Sequence, residues 1–168
     1  MKQDELKQKK AAQIVDLLAP VSTLLIVMQD HPDPDAIASA AGLRALTNRV
    51  GDGQCSMVCG GIVGRAENQM MIDYLGLNVR RLDELDGRSY DLVALVDTQP
   101  ATGNNPLPTS QRPDIVIDHH PIQPATRRCG YTDIRSQYGA TSTILYEYLT
   151  AAQVELDVPL ATALLYGI

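Results

Sequence analysis

Residues Asp118-His119-His120 close the apolar run Ile115-Val116-Ile117, so one carboxylate and two imidazoles arrive together at a strand's C-terminal tip. Such a donor set can hold a divalent metal. Two other strand ends carry acids. Asp33 and Asp35 flank Pro34 in the loop after residues 21–28, and Asp97 ends Asp91-Leu92-Val93-Ala94-Leu95-Val96. Each acid has an ordinary structural alternative. Asp33 or Asp35 could cap the next helix and favour its positive end, Asp97 could form an Asx turn, and Asp118 could orient a histidine in a polar loop tip. Two acids separated by a proline, just behind Asp30 and His31, exceed what one cap requires. Together the three clusters form an oxygen-rich site with imidazole, which suits Mn²⁺ or Mg²⁺ better than a thiolate-selecting zinc site.

These positions depend on the elements that carry them. Apolar spacing predicts an amphipathic helix over residues 3–18, ended by Pro20. A buried strand follows at 21–28, and Pro32 and Pro34 force an extended loop before a helix at 36–49. The alternation continues with a strand at 54–58, a helix within 66–75, and strands at 92–96 and 115–117. Gly139-Ala140-Thr141-Ser142 opens a helix through residue 152, and Pro159 starts a last apolar helix to Tyr166. This order predicts an α/β fold, an open parallel sheet flanked by helices in three α/β/α layers. Acids at the carboxyl ends of its strands can then converge on one ligand crevice. Residues 99–112, rich in Pro, Thr, Asn and Gly, read as a surface loop beside that crevice. Thr141-Ser142 would either cap their helix or offer N–H groups and hydroxyls to a phosphate. Gly60-Gly61-Ile62-Val63-Gly64 reads as a turn, and Asp133 as a surface turn acid near a further strand end.

Bulk composition narrows the function. A chain of 168 residues, 45% hydrophobic, suits a single domain with its own core. The formal charge of −6 argues against long duplex DNA as a partner. With no Trp or Phe, a groove stacking several bases is not expected. Three cysteines without CxxC spacing fit reduced thiols in the cytoplasm better than a disulfide framework or structural zinc. The charged stretch 1–10 lacks the apolar core of a signal peptide, and no apolar run approaches the roughly 20 residues of a membrane span, so no membrane partner is expected.

The motifs as a set resemble the DHH phosphoesterase superfamily. Pro32-Asp33-Pro34-Asp35-Ala36 is similar to its first motif, Val96-Asp97 to its second, and Ile117-Asp118-His119-His120 to its third, across about residues 21 to 168. The layout resembles the DHH/DHHA1 branch of nanoRNases, pAp phosphatases, RecJ-type exonucleases and cyclic-dinucleotide phosphodiesterases. The resemblance implies that Asp33 binds one Mn²⁺, Asp35 the other, and Asp97 both, with His119 on the second ion. It implies Asp118 orienting His119 from behind, and His120 touching the substrate phosphate or assisting the leaving oxygen. Asp97, His119 and His120 are the catalytic candidates it gives. The implied reaction is hydrolysis of short oligonucleotides or pAp by water activated between two ions roughly 3.5–4 Å apart. Pyrophosphate or polyphosphate is the alternative substrate, and a degenerate nucleotide-binding domain without catalysis the alternative class.

Four residues before Asp33, where many members carry a histidine, this chain has Gln29, as RecJ-like members also lack that histidine; His31 is a substitute ligand if the loop bends. The resemblance further implies a metal-binding Asp and a DHHA1 substrate domain beyond Gly167-Ile168, so residues 1–168 are expected to be a truncated DHH catalytic domain. Loss of that C-terminal part would expose an apolar face and promote self-association, so a homodimer is a possible partner state.

Overall fold

The computed structural model describes residues 2–85 and 87–168. Six strands form one parallel sheet: β1 (Thr23–Val27), β2 (Gln54–Cys59), β3 (Val79–Arg81), β4 (Leu92–Val96), β5 (Ile115–Asp118) and β6 (Tyr131–Ile134), in the order β3-β2-β1-β4-β5-β6. The order reverses between β1 and β4, which pair in register from Leu24 with Leu92 to Val27 with Leu95. That junction is the topological switch point, where loops leave neighbouring strands in opposite directions and open a crevice. Asp33, Asp35 and Asp97 all follow these two strands.

Five helices accompany the sheet: α1 (Lys2–Leu18), α2 (Pro34–Val50), α3 (Ala66–Tyr74), α4 (Thr141–Ala151) and α5 (Val158–Gly167). The central strands β1, β4 and β5 are buried on both faces, which explains their near-continuous apolar sequences. Leu24, Ile26, Ala94, Val96, Ile115 and Ile117 face one large core with residues of all five helices. Leu25, Val27, Val58, Val93, Leu95 and Val116 face a smaller core closed by Leu85 and Leu107. The expected flanked parallel sheet is therefore present, and its second face is covered by loops and short turns rather than by α-helices. The 3₁₀ turns Leu82–Glu84 and Thr126–Arg128 lie in two of those connections.

Strand β6 forms at the further strand noted near Asp133, and β3 completes the sheet beyond expectation. β3 has three residues, two of them arginines, and leaves no apolar signature. Asp133 lies inside β6 at 6% exposure, which corrects its reading as a surface turn acid. No helix among the described residues is long and apolar enough to cross a membrane.

Helix α2 is central to the helical layer, and Gly42 on it lets α4 approach closely. A Cβ at that position would stand 3.1 Å from Leu145 Cβ. Gly42→Val would add a branched side chain against this contact, and overpacking of this kind costs about 1–3 kcal/mol. The expected result is a lower urea midpoint with an unchanged slope.

Candidate metal centre

The site starts with helix entrances. Asp33 is the N-cap of α2, and its Oδ1 accepts from Ala36 N–H at 3.0 Å; Pro34 follows in the first turn, where its missing N–H costs nothing. Capping occupies one carboxylate oxygen of Asp33 and leaves the other. Asp35, one turn into the same entrance, reaches across to α4. Its Oδ2 accepts from Thr141 N–H at 2.8 Å and its Oδ1 from Ser142 N–H at 2.7 Å. The N-cap residue of α4, Ala140, has no capping side chain, so Asp35 caps that helix from a distance. The N–H groups of Thr141 and Ser142, considered from sequence for a phosphate, are thus committed to a carboxylate. Asp35→Ala would strip two N–H groups of their acceptor and is expected to cost the metal-free protein about 1–2 kcal/mol, read by thermal unfolding.

Asp97 stands at the tip of β4 in the left-handed region, φ 56, with 2% exposure. Among non-glycine residues Asp tolerates this conformation comparatively well, and such strain is typical of functional sites. Its N–H is bonded to Ile117 O of the neighbouring strand at 3.1 Å, and its Oδ1 accepts from Thr141 Oγ1 at 2.9 Å. Burial, reinforced by the negative charges of Asp35 and Asp33, pushes the Asp97 carboxyl up to about 9; the Thr141 hydroxyl only partly offsets this. The cluster therefore has more negative charge than its surroundings compensate.

The two histidines are held differently from the sequence expectation. His119 Nδ1 lies 3.1 Å from Tyr138 O, and because a carbonyl only accepts, the ring donates to it from Nδ1. Nε2 stands 3.6 Å from Asp97 Oδ1 and 3.7 Å from Asp35 Oδ2. The residue that orients His119 is thus Tyr138, through its main chain, and not Asp118. Asp118, buried at 1% exposure, instead accepts from His120, from its N–H at 3.2 Å and its Nδ1 at 2.9 Å. It stands behind a histidine as expected, but behind the other one.

Asp97, His119 and His120 each place one ligand atom within 4.8 Å of the others. Asp35 adjoins this group through His119. His31 lies outside it: the side chain is exposed, with Nδ1 3.3 Å from Ile62 O, against the face of Gly61 where any Cβ would come within 2.6 Å of the ring. His31 and Asp33 line a separate cleft of about 330 Å³ with Gly64, Arg65 and Asn68. A divalent cation fits the donor set on two grounds: oxygen and imidazole nitrogen without thiolate, and three carboxyls gathered closely enough that Asp35 and Asp33 raise the pKa of buried Asp97. Burial raises the thiol pKa of Cys59, and the three cysteines are free. Sequence reasoning singled out Thr141 for a cap or a phosphate but not its role here, where its hydroxyl joins Asp97 to the His119 N–H (3.1 Å), and it missed Tyr138. Neither has a local signal, because one acts through a shared hydroxyl and the other through a backbone carbonyl.

A switch-point crevice lined by carboxylates and imidazoles marks this α/β protein, with a candidate cation site at the carboxyl edge of its parallel sheet. Residues 23–168 match the DHH family, N-terminal domain, and the chain belongs to that family. It is 40% identical over 146 residues to an uncharacterized protein of Methanocaldococcus jannaschii, a match covering 86% of this chain and 29% of that protein. The fold is also similar to the crystal structure of an exopolyphosphatase-related protein from Bacteroides fragilis, with TM-score 0.67 and 14% identity, over 95% of this chain and 49% of that one. The chain thus spans less than a third of the curated relative and about half of the solved one.

Proposed function

We propose that this domain is the metal-binding part of a phosphoesterase that hydrolyses short oligonucleotides or pAp-type nucleotides with Mn²⁺, or Mg²⁺ in its place. The observation that carries this reading is the meeting of Asp97, His119 and His120 at the switch point, next to Asp35 and the entrance of α2. Asp97 and His119 would hold a cation, with Asp35 and the free oxygen of Asp33 as further donors. A cation bound there would supply Lewis-acid charge at a phosphoryl oxygen and a more acidic water. His119 is locked by Tyr138 O with Nε2 toward the carboxylates. His120, its Nδ1 proton held by Asp118, has Nε2 available to exchange a proton with the leaving oxygen. The buried floor of β1, β4 and β5 excludes water beneath these groups. A small nucleotide rather than a long duplex agrees with the net charge of −6.

The test is hydrolysis by this protein of 5′-phosphorylated di- to pentaribonucleotides, pAp and pyrophosphate with Mn²⁺, products being separated by chromatography. Cleavage of the nucleotides, abolished by EDTA, is the expected result. Release of phosphate from pyrophosphate alone would move the substrate to inorganic phosphoanhydrides. Inertness toward every substrate despite bound Mn²⁺ would favour a binding domain.

A further inference from the structure

A cleft of about 300 Å³ opens on the second face of the sheet, between the loop that leaves β4 and the turn that precedes β6. One wall is formed by Ala101 and residues 109–112, the other by Arg128 and Cys129. The cleft shares no residue with the group of Asp97, His119 and His120. Its volume lies at the lower end of the roughly 300–1,000 Å³ usual for small-molecule sites, so it suits a compact ligand better than a strand of nucleic acid.

Both walls are held in place from behind. In the first, Thr102 Oγ1–H donates to Gln99 O at 2.8 Å and Asn105 Nδ2–H to the same carbonyl at 2.9 Å, while Gln111 N–H closes a turn on Pro108 O at 2.8 Å. This loop keeps Ala101 in the left-handed region, φ 63, a conformation that a residue with a Cβ adopts only at a cost and that recurs where a backbone is shaped for a ligand. In the second wall, Thr126 Oγ1–H donates to Gln99 Oε1 at 2.8 Å, and Cys129 N–H to Thr126 O at 3.0 Å. Gln99, 1% exposed, thus anchors both sides of the cleft.

Positive charge gathers here without its usual partners. Among the described residues the ion pairs of lysine and arginine belong to Lys7, Arg81 and Arg135, and the exposed side chains of Arg112 and Arg128 meet no acid. Burial raises the pKa of the Cys129 thiol and the charges of Arg112 and Arg128 both act against it, which places the two guanidinium groups about one sulfur. Asp114, the acid that adjoins the same thiol, is engaged elsewhere: its Oδ2 accepts from Val93 N–H of β4 at 2.9 Å. In a chain of net charge −6, two arginines left without acids, beside the hydroxyl donors Thr109 and Ser110, form a local anion-seeking surface.

We propose that this cleft is a second ligand site, which binds inorganic phosphate or a phosphate monoester between Arg112 and Arg128. A guanidinium presents parallel N–H donors that match two phosphate oxygens at once, a geometry that an ammonium lacks. The site needs no metal ion and does not rest on the hydrolysis proposed above.

The experiment uses the whole 168-residue protein, metal-free and at about pH 8, where a phosphate monoester is a dianion. Its ¹H–¹⁵N spectra are recorded during titration with inorganic phosphate or AMP, against chloride of equal ionic strength. Saturable shifts at the amides of Arg112, Arg128 and Cys129 are the expected result. Tighter binding of AMP would identify a nucleotide as the ligand, and equal affinity would identify the phosphate group alone. Arg112→Gln or Arg128→Gln should each weaken binding about 10-fold or more, the effect of losing a hydrogen bond to a charged group, and the two together should abolish it. Neither guanidinium pairs with an acid, so the urea midpoint of the double variant should match that of the wild type. Arg112→Lys keeps the charge without the fork and should also bind more weakly than the wild type. Shifts no larger than those given by chloride, or equal binding by the double variant, would overturn the proposal. Full affinity in Arg112→Lys would overturn it as well, by reducing the site to general charge attraction.

Discussion

Asp97→Asn is expected to stabilise the metal-free protein and to destroy its activity. The wild-type carboxyl is buried beside Asp35 and Asp33 and is held up to about 9. Its folded pKa lies above the ordinary carboxylate value, so between roughly pH 4 and 9 the folded state holds a proton that the unfolded state has lost. Stability therefore falls as pH rises through this window, at up to about 1.4 kcal/mol per pH unit for one proton. Asparagine imitates the protonated form at every pH and fits the left-handed backbone at φ 56, so the variant should lose this slope without added strain. Thermal unfolding in EDTA at pH 5 and pH 9 checks the sign: the wild type should soften more than the variant. With Mn²⁺ present the order should reverse, because a cation competes with the proton and stabilises only the wild type. Hydrolysis should fall by roughly 10³-fold, equivalent to about 4 kcal/mol of lost transition-state stabilisation.

Replacement of Arg135 by leucine should be the most damaging change away from the acids. Arg135 is 7% exposed and grips Asp133 through Nε at 3.1 Å and Nη2 at 2.7 Å; Asp133 also accepts from Tyr148 Oη–H. Its Nη1 binds Glu147 and reaches Tyr138 Oη at 3.2 Å, while Glu147 takes Lys7 of α1 at 2.8 Å. Arg135→Leu leaves Asp133 buried without a cation, a defect worth about 3–5 kcal/mol. Combining it with Asp133→Asn should return much of the loss, since the penalty is the uncompensated charge and not the missing bond. Urea unfolding of the two variants decides this: a single-variant loss below about 1 kcal/mol would show that water or a neighbour already satisfies Asp133. The same network supports Tyr138, whose carbonyl orients His119, so metal affinity should weaken with stability.

The residues that bring the site together were legible because parallel strands buried on both faces read as apolar runs, which makes an acid at a run's end conspicuous. Asp97 and Asp118-His119-His120 stand out against Leu92–Val96 and Ile115–Asp118 on those grounds. Asp33 and Asp35 were legible as a pair, yet not their division of labour, since an acid capping a helix one hundred residues away has no local signature. Gln99 and Arg135, and the link Thr141 makes between Asp97 and His119, escaped for the same reason. Each is an ordinary polar residue whose meaning lies in a partner on another element. The absence of α-helices from the second face of the sheet was also hidden: loops rich in Pro and Asn read as surface, although Leu107 and Gln99 close a core and a buried network there.

The most direct test of a cation centre at the switch point is calorimetric titration of the metal-free protein with Mn²⁺, beside Asp97→Asn. Saturable binding in the wild type that is lost in the variant is the predicted result. Equal binding by both proteins, or none by the wild type, would contradict the assignment of Asp97, His119 and their neighbours as a metal centre.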